Sequence, residues 1–503
     1  MTHTICSSAS VISPENWVYS ERRRDEILGA LTRRSRKITT GIGERETSGL
    51  PPTLAALARA FAEGSLSPVE VAETVLRRIE ERNGELNAFV TVMAEDARRS
   101  EAEIRAGRYR GPLHGVPVGL KDLIETRGVR TTMGSAFFKD HFPAADATVV
   151  ELLKDAGAVL VGKTNTHEFA FGPIGDRSFF GATRNPHDLA RIPGGSSAGS
   201  GAAVAAGLVY GALGTDSGGS IRVPAALCGV VGMKPTFGRV SKRGVFPLSW
   251  VLDHVGPLSR TVEDNALLLT DLACYDSEDS YSVDTGSEDF TRDLARGVKG
   301  GAVGVPAGFY YEHVKPGVEK LVRAAIRCFE DLGAEVRAVE IPGLQEALSA
   351  QRLMLASEAH AVHRERLDRA PEKFDDEVRQ RLLEGAEPRA YEYAEAQQER
   401  LRSIRAFRKA LEDVYVILTP TVPITATEIG QRRVDIDGYE ETVRSALTRF
   451  TGPTNLNGLP SLSVPCGSMA SGLPVGIQLI GRPFDEATLY RYGHALEEAL
   501  SGG

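Results

Sequence analysis

The sequence predicts an α/β protein in which helices cover both faces of a central β-sheet. From residue 53 onward, segments with the three- and four-residue apolar spacing of amphipathic helices alternate with short apolar segments typical of buried strands. Glycine and proline mark the ends of many of these segments. Alternation of this kind is typical of a layered fold, and 503 residues are enough to bury an extensive core.

Residues 1–52 are interpreted as an N-terminal arm that lies outside the main domain. The arm contains the charged stretches ERRRDE and RRSRK and ends at Pro51 and Pro52. We expect a solvated helix or a partly disordered segment, and a basic patch for an acidic partner is the alternative. Its first residues lack the basic start and apolar core of a secretory signal.

The main domain is expected to open with two amphipathic helices between residues 53 and 83. Gly64 ends the first helix, because glycine interrupts the apolar pattern there. Ser67 and Pro68 open the second, with serine as the N-cap and proline at the first helical position.

Short apolar segments further along the chain are predicted to be buried strands. One is GVPVGL, which Lys121 follows directly, and another covers residues 158–162 after the helix that Gly157 ends. The apolar run 202–213 is predicted to be a buried helix, since about a dozen residues are too few to cross a membrane.

Residues 345–412 are long, charged and helical in pattern. We expect helices that pack over the sheet and shape a substrate site. The segment VYVILTPT then reads as a strand, so this region is predicted to be an insertion and not a separate domain.

Charge and cysteine content exclude several functional classes. The net charge of −8 offers no excess of basic residues for neutralising nucleic-acid phosphates. The five cysteines are scattered, odd in number and form no CxxC pair, so neither a zinc site nor a disulfide framework is expected. This cysteine usage favours the reducing cytoplasm.

The first Gly/Ser loop, PGGSSAGS, allows three interpretations. Gly195 to Gly199 match GxSxG, which would make Ser197 a nucleophile, but the loop before it is turn-rich and not a strand. A phosphate-binding loop would fit the glycines but lacks the lysine of a Walker motif. A turn that opens a helix of small residues also fits the sequence.

The second Gly/Ser loop, TDSGGSIRVP, has two interpretations. Gly218 and Gly219 allow backbone conformations that other residues rarely adopt, so consecutive amides can point at one place. An oxyanion hole needs this arrangement, and the hydroxyl of Ser220 could face the same place. A simple glycine turn between two buried elements fits this stretch equally well.

A nucleophilic serine needs a base, and histidine is the usual one. His114, His167 and His254 lie in the predicted core but have no telling motif, so we expect hydrogen-bonded structural or surface histidines. His360 and His363 form an HxxH pair on a charged helix, where we expect them to be solvated. No metal site is therefore expected.

Lysine is the remaining candidate for a base. Lys121 closes an apolar strand, and removal from water favours the neutral amine and lowers its pKa. The alternative is an ion pair with the nearby Asp122 or Glu125.

Several long segments together resemble the amidase signature family over about residues 53–500. These segments, in chain order, are GVPVGLKD, GKTNTHEFAFG, PGGSSAGSGAAVAAG, GTDSGGSIRVPAALCGVVGMKPT, LTPTVP and GLPSLSVPCG. The resemblance implies one large domain over residues 53–503 with a central mixed, twisted sheet. It also implies that residues 310–450 shape the substrate site.

The resemblance further implies a Ser–cis-Ser–Lys triad. Ser220 would be the nucleophile, Ser196 the bridging serine after a cis peptide bond, and Lys121 the base. The oxyanion would be bound by the backbone amides of Ser217, Gly218, Gly219 and Ser220. No metal or organic cofactor is implied.

The implied activity is hydrolysis of carboxylic amides through an acyl-enzyme. The alternatives are the A subunit of an aspartyl/glutamyl-tRNA amidotransferase and a carbamate- or ester-cleaving member of the family. The amidotransferase branch usually carries a DGVRYG-like stretch, which this sequence replaces with RLDRAPEKF, so a free-standing hydrolase is favoured. A catalytically silent scaffold is the alternative from another class.

The expected partner is a small-molecule amide, with a preference for an apolar amide or anilide. Nucleic acid and membrane are not expected as partners, and a monomer or homodimer is expected.

Overall fold

The computed structural model describes residues 49–93 and 97–502. Residues 1–48 lie outside the described part, so the interpretation of the N-terminal arm stays a prediction. The division at residue 53 also stays a prediction, although the first described helix begins immediately after it, at Leu54.

The described residues form an α/β fold around one eleven-stranded sheet. The strands are β1 (Phe89–Val92), β2 (Pro117–Lys121), β3 (Val159–Thr164), β4 (Gly211–Asp216), β5 (Val231–Lys234), β6 (His254–Ser259), β7 (Ala302–Pro306), β8 (Glu335–Val339), β9 (Val416–Pro420), β10 (Arg433–Ile436), β11 (Tyr439–Thr442), β12 (Ser461–Ser468) and β13 (Pro474–Ile480). The order in the sheet is β1-β3-β2-β4-β6-β5-β12-β13-β9-β7-β8, and β10 and β11 form a separate hairpin.

The sheet is mixed, as the family resemblance implies. Strands β3, β2 and β4 run parallel to one another, whereas β4 pairs with β6 in the antiparallel sense. Because β2 and β4 are parallel neighbours, their carboxyl ends lie at the same edge of the sheet. Loops at this edge are the usual place for ligand binding in α/β proteins.

Helices flank the sheet. They are α1 (Leu54–Ala62), α2 (Pro68–Leu86), α3 (Ala97–Arg105), α4 (Thr148–Asp155), α5 (Ala198–Ala205), α6 (Arg222–Cys228), α7 (Val262–Leu272), α8 (Pro316–Asp331), α9 (Leu344–Arg369), α10 (Asp376–Glu384), α11 (Ala390–Ala410), α12 (Val443–Arg449), α13 (Gly452–Leu456) and α14 (Glu486–Ser501). None of the helices in the described ranges combines the length and apolar character needed to cross a membrane.

Helices cover both faces of the sheet. Successive residues of a strand point to opposite faces, so neighbouring residues pack against different helices. Leu213 belongs to a core shared with α4, α7 and α14, whereas its neighbour Ala212 belongs to a core shared with α5 and α6. The prediction of helices on both faces is therefore confirmed.

The two predicted N-terminal helices are confirmed as α1 and α2. The side chain of Ser67 caps α2 by accepting a hydrogen bond from the amide of Glu70 at 3.2 Å, and Pro68 occupies the first turn. Gly64 follows α1 with a φ of +70°, a conformation that favours glycine.

The predicted helix over residues 202–213 is wrong in its second half. Helix α5 ends at Ala205, Gly207 adopts a φ of +68°, and β4 begins at Gly211. A left-handed glycine ends a helix by turning the backbone out of its axis. The apolar composition is shared by a buried helix and a buried strand, so it did not separate the two elements.

The charged region 345–412 is helical, as predicted, and forms α9, α10 and α11. Apolar side chains of α9 and α11 pack with Leu252 and Leu456, which belong to a loop and to α13. The chain then returns to the sheet as β9, which lies between β13 and β7.

Candidate active site

Lys121 is the last residue of β2 and is completely buried. Its Nζ lies 2.7 Å from Ser196 Oγ and 2.7 Å from Thr215 Oγ1. Burial lowers the pKa of Lys121 to about 7, although the carboxylates of Asp216 and Asp253 oppose the shift. A large fraction of this lysine is therefore uncharged at neutral pH.

An uncharged Lys121 amine has a lone pair that can accept the proton of the Ser196 hydroxyl. The same nitrogen can still donate a hydrogen bond to Thr215 Oγ1, which fixes its direction. Sequence reasoning did not single out Thr215, although it precedes Asp216 in the second Gly/Ser loop. The ion pair with Asp122 or Glu125, considered as an alternative, is not formed among the described residues.

Ser196 lies in the loop before α5, and the peptide bond between Gly195 and Ser196 is cis. The carbonyl oxygen of Ser196 accepts hydrogen bonds from Thr166 Oγ1 at 3.1 Å and from the amide of His167 at 3.2 Å. These contacts hold the backbone on one side while the side chain reaches Lys121.

The GxSxG interpretation of Ser197 is not supported. Its Oγ accepts from the amide of Thr215 and donates to the carbonyl of the same residue, both at 3.2 Å. The Ser197 hydroxyl is buried and joins the two Gly/Ser loops, and Ser197 does not line the cavity described below. The first loop is a turn that opens α5.

Ser220 lies between β4 and α6 and lines a cavity. Its carbonyl accepts from the amide of Ser197 at 3.2 Å, which joins the two loops. No direct hydrogen bond links the Ser196 and Ser220 hydroxyls in the described structure. Hydrogen bonds of a catalytic relay often shorten only when substrate binds.

The amides predicted to bind an oxyanion are not equivalent. Gly219 donates its N–H to Asp216 Oδ1 at 2.7 Å. Among the described residues, no hydrogen bond engages the amides of Ser217, Gly218 or Ser220. Three of the four predicted amides thus have no hydrogen-bond partner in the described structure, and the fourth fixes the loop.

A buried ion pair between Asp216 and Arg222 holds the second Gly/Ser loop in place. Asp216 Oδ1 lies 2.9 Å from Arg222 Nη2, and both side chains are completely buried. Burial alone would raise the pKa of Asp216, but the charge and hydrogen bonds of Arg222 hold that pKa below its usual value. Asp216 also accepts from the amide of Ile221 at 3.1 Å.

Three residues from distant parts of the sequence also hold the second Gly/Ser loop in place by hydrogen bonds. Gln351 Nε2 donates to the carbonyl of Ser217 at 2.8 Å, and Thr451 Oγ1 donates to the carbonyl of Gly218 at 2.6 Å. Asn455 Nδ2 donates to Asp216 Oδ1 at 2.8 Å. Nothing local in the sequence marks these three residues, so sequence reasoning missed them.

Replacing Arg222 by alanine is expected to lower the free energy of unfolding by about 3–5 kcal/mol, because it leaves the buried carboxylate of Asp216 without its cation. Denaturant unfolding measures this change. The control is Arg433→Ala, which breaks an exposed pair with Glu440 and should cost less than about 1 kcal/mol. Equal stability of the two variants would contradict the role given to the buried pair.

The histidines of the predicted core are structural, as expected. His114 Nδ1 accepts from the amide of Arg110, His167 Nδ1 accepts from the amide of Gly175, and His254 Nδ1 lies within hydrogen-bond distance of the Leu252 carbonyl. In the described structure, none of the three rings forms a hydrogen bond with Lys121, Ser196 or Ser220. No cluster of three possible metal ligands exists among the described residues.

The expectation of a solvated HxxH pair is wrong for His363. Its ring is completely buried against Phe169, Phe246 and Phe374. Burial lowers the pKa of His363 to about 3, so the ring is neutral. The charged pattern of α9 concealed that His363 is one of its buried residues.

The cavity beside Ser220 has a volume of about 230 Å³. It is lined by Ala170, Phe171, Gly172, Pro173, Ser217, Gly218, Ser220, Leu248, Gln351, Arg352, Leu355, Ala356, Arg381, Glu384, Arg444, Ser445 and Thr448. Helices α9, α10 and α12 supply much of this lining, and all three lie within residues 310–450, whose role in shaping a substrate site stays a prediction.

A family model described as Amidase matches residues 70–490 of this chain. The chain belongs to the amidase signature family. The region matched includes all three residues of the predicted triad, and this membership supports an amide-cleaving enzyme.

Relatives in the family include two kinds of protein. An amidase of Pseudomonas putida is 43% identical over 455 residues, covering 89% of this chain and 96% of the relative. The A subunit of a glutamyl-tRNA(Gln) amidotransferase from an Exiguobacterium species is 41% identical over 466 residues, covering 88% and 95%. Identity alone does not separate the two kinds.

The fold also matches solved members of the family. A bacterial aryl acylamidase belonging to the amidase signature enzymes superposes with a TM-score of 0.82 at 30% sequence identity. The match covers 89% of this chain and 96% of that structure.

Proposed function

We propose that this chain hydrolyses the C–N bond of carboxylic amides through an acyl-enzyme formed on Ser220. Ser196 transfers the proton, and Lys121 is the base. The observation that carries the proposal is the 2.7 Å contact of Ser196 Oγ with a buried lysine whose pKa is lowered to about 7. An amine with this pKa, in contact with a serine hydroxyl, suits proton transfer at neutral pH.

The first half of the reaction forms the acyl-enzyme. Lys121 takes the proton of Ser196, Ser196 takes the proton of Ser220, and Ser220 Oγ bonds to the amide carbon. The carbonyl oxygen becomes an anion facing the free amides of the second loop. The C–N bond then breaks while Ser196 gives its proton to the leaving nitrogen and regains one from Lys121.

The second half releases the acid. Water loses a proton to the same relay and attacks the ester carbon of the acyl-enzyme. The bond to Ser220 Oγ breaks, the hydroxyl regains its proton through Ser196, and the carboxylic acid leaves. All atoms come from the amide, water and the three side chains.

The second candidate is the A subunit of an aspartyl/glutamyl-tRNA amidotransferase, which releases ammonia from glutamine. The 41% identity to a relative of that kind favours it. Carbamates and esters are further substrate candidates, because the same acyl transfer applies to them.

A substrate panel on the purified chain separates these possibilities. Amides, anilides, esters and carbamates with the same acyl group are compared with glutamine, and no partner protein is added. We expect amide cleavage by the chain alone. Glutamine cleavage that depends on added partner proteins would favour the amidotransferase, and a chain that cleaves no amide under any of these conditions would overturn the proposal.

A further inference from the structure

Positive charge is concentrated in the wall of the Ser220 cavity. Three arginines line it, Arg352 on α9, Arg381 on α10 and Arg444 on α12, and Glu384 is the one acidic residue in the lining. The apolar residues of the lining include Phe171, Leu248 and Leu355. The wall therefore combines an apolar side with a strongly cationic side.

Arg381 has a fixed position in this wall. Its guanidinium lies over the ring of Phe171, with 3.8 Å between the guanidinium carbon and the ring centroid, and it donates to the Phe171 carbonyl. Burial, followed by the charge of Arg444, lowers the pKa of Arg381 to about 9. The group remains cationic at pH 7.

The three arginines differ in exposure, since Arg352 is exposed and Arg381 and Arg444 are partly buried. In the described part of the chain, none of them forms an ion pair with a carboxylate. Arg222 and Arg239, by contrast, are buried, and each pairs with a carboxylate, Asp216 and Glu486 respectively. The charges of Glu377 and Glu384 favour the cationic form of Arg381, and the charge of Glu441 favours that of Arg352. A bound anion would compensate the neighbouring positive charges further.

We propose that the amide substrate carries a carboxylate, which binds at Arg381 and Arg444 while Ser220 attacks the amide carbonyl. This inference rests on the proposed amide hydrolysis and adds the substrate class. Guanidinium groups match a carboxylate well because their N–H donors lie in one plane. Arg352 adds positive potential at the same wall, and Phe171 and Leu248 contact the carbon chain between the two ends.

Matched pairs of small amides test this proposal. The ω-monoamides of three- to five-carbon dicarboxylic acids, such as succinamate, are compared with neutral amides of equal length, such as butyramide. In the wild-type protein, kcat/KM for the best anionic amide is expected to exceed that of its neutral partner by about 10- to 100-fold, because hydrogen bonds to a charged group are strong.

Arg381→Gln and Arg444→Gln should each lower this anionic-to-neutral ratio by about 10-fold or more. The matched control is Arg379→Gln, on the same helix α10, since Arg379 pairs with Asp376 outside the cavity. The control should keep the wild-type ratio. A wild-type preference for neutral amides, or a ratio that neither cavity variant changes, would overturn the proposal. If Arg381→Gln does not fold, Arg444→Gln decides.

A binding measurement separates this inference from the proposed function. Calorimetric titration of succinamate into Ser220→Ala needs no turnover and should show binding that the added change Arg381→Gln weakens. Absence of binding to Ser220→Ala would refute the carboxylate subsite even if amides are cleaved. Binding without any amide turnover by the wild-type protein would refute the proposed hydrolysis and retain the subsite.

Discussion

Replacing Ser220 by alanine is expected to lower kcat/KM for amide hydrolysis by about 10⁴-fold or more. Ser220 and Ser217 are the two serines of the second loop that line the cavity, and the hydroxyl of Ser217 donates to Asp253. Removing the Ser220 oxygen removes the atom that bonds to the amide carbon, whereas the remaining groups can only bind and polarise the substrate. Steady-state kinetics with the best amide from the panel measures the loss.

The matched control for this variant is Ser349→Ala. Ser349 is exposed on α9, and its hydroxyl donates only to the carbonyl of Gln345. The control should keep wild-type turnover and should be labelled by a fluorophosphonate probe as strongly as the wild-type protein. Labelling of Ser220→Ala at another serine, or retention of turnover by that variant, would show that a different residue is the nucleophile.

Replacing Lys121 by alanine is expected to lower kcat/KM by roughly 10²- to 10⁴-fold, the range of general base catalysis. The base works only when its amine is neutral. Since burial lowers the pKa of Lys121 from the ordinary lysine value of 10.5 to about 7, wild-type kcat/KM should rise with pH through about 7 and become level above it. An ordinary lysine would make the rise continue toward pH 10. Initial rates across this pH range measure the profile.

Lys163→Met is the control for the lysine variant. Lys163 is also completely buried, on the neighbouring strand β3, but its Nζ donates to Thr126 Oγ1 at 3.0 Å and contacts neither serine. After circular dichroism shows that both variants are folded, the control should keep turnover within about 10-fold of wild type. A loss equal to that of Lys121→Ala would mean that any buried lysine of this sheet is needed for structure, and the relay would lose its support.

Much of the local structure follows from short-range patterns. The cap at Ser67, the strand that ends at Lys121 and the charged helices after residue 344 were predicted from spacing and residue type, and the structure has them. Each of these features has a short-range signature in residue type or spacing, which a sequence displays directly. The pattern failed at residues 202–213, where the composition fits a helix and a strand equally.

The site was predicted less completely. The motifs supplied Lys121, Ser196 and Ser220 through a family resemblance, and the structure brings the first two within 2.7 Å. Sequence reasoning did not predict that the Gly219 amide donates a hydrogen bond to Asp216. It also missed the hydrogen bond by which Gln351 supports the second loop. These contacts join segments that only the fold brings together.

The sequence by itself determined which groups are available, namely an amine at a strand end, two Gly/Ser loops and a row of helices rich in arginine. Tertiary structure decided what those groups can do. Complete burial sets the pKa of Lys121, and packing of α9, α10 and α12 around Ser220 places three cations in one cavity. The physical reason is that desolvation and electrostatic fields depend on distances in space, which separation along the chain does not fix.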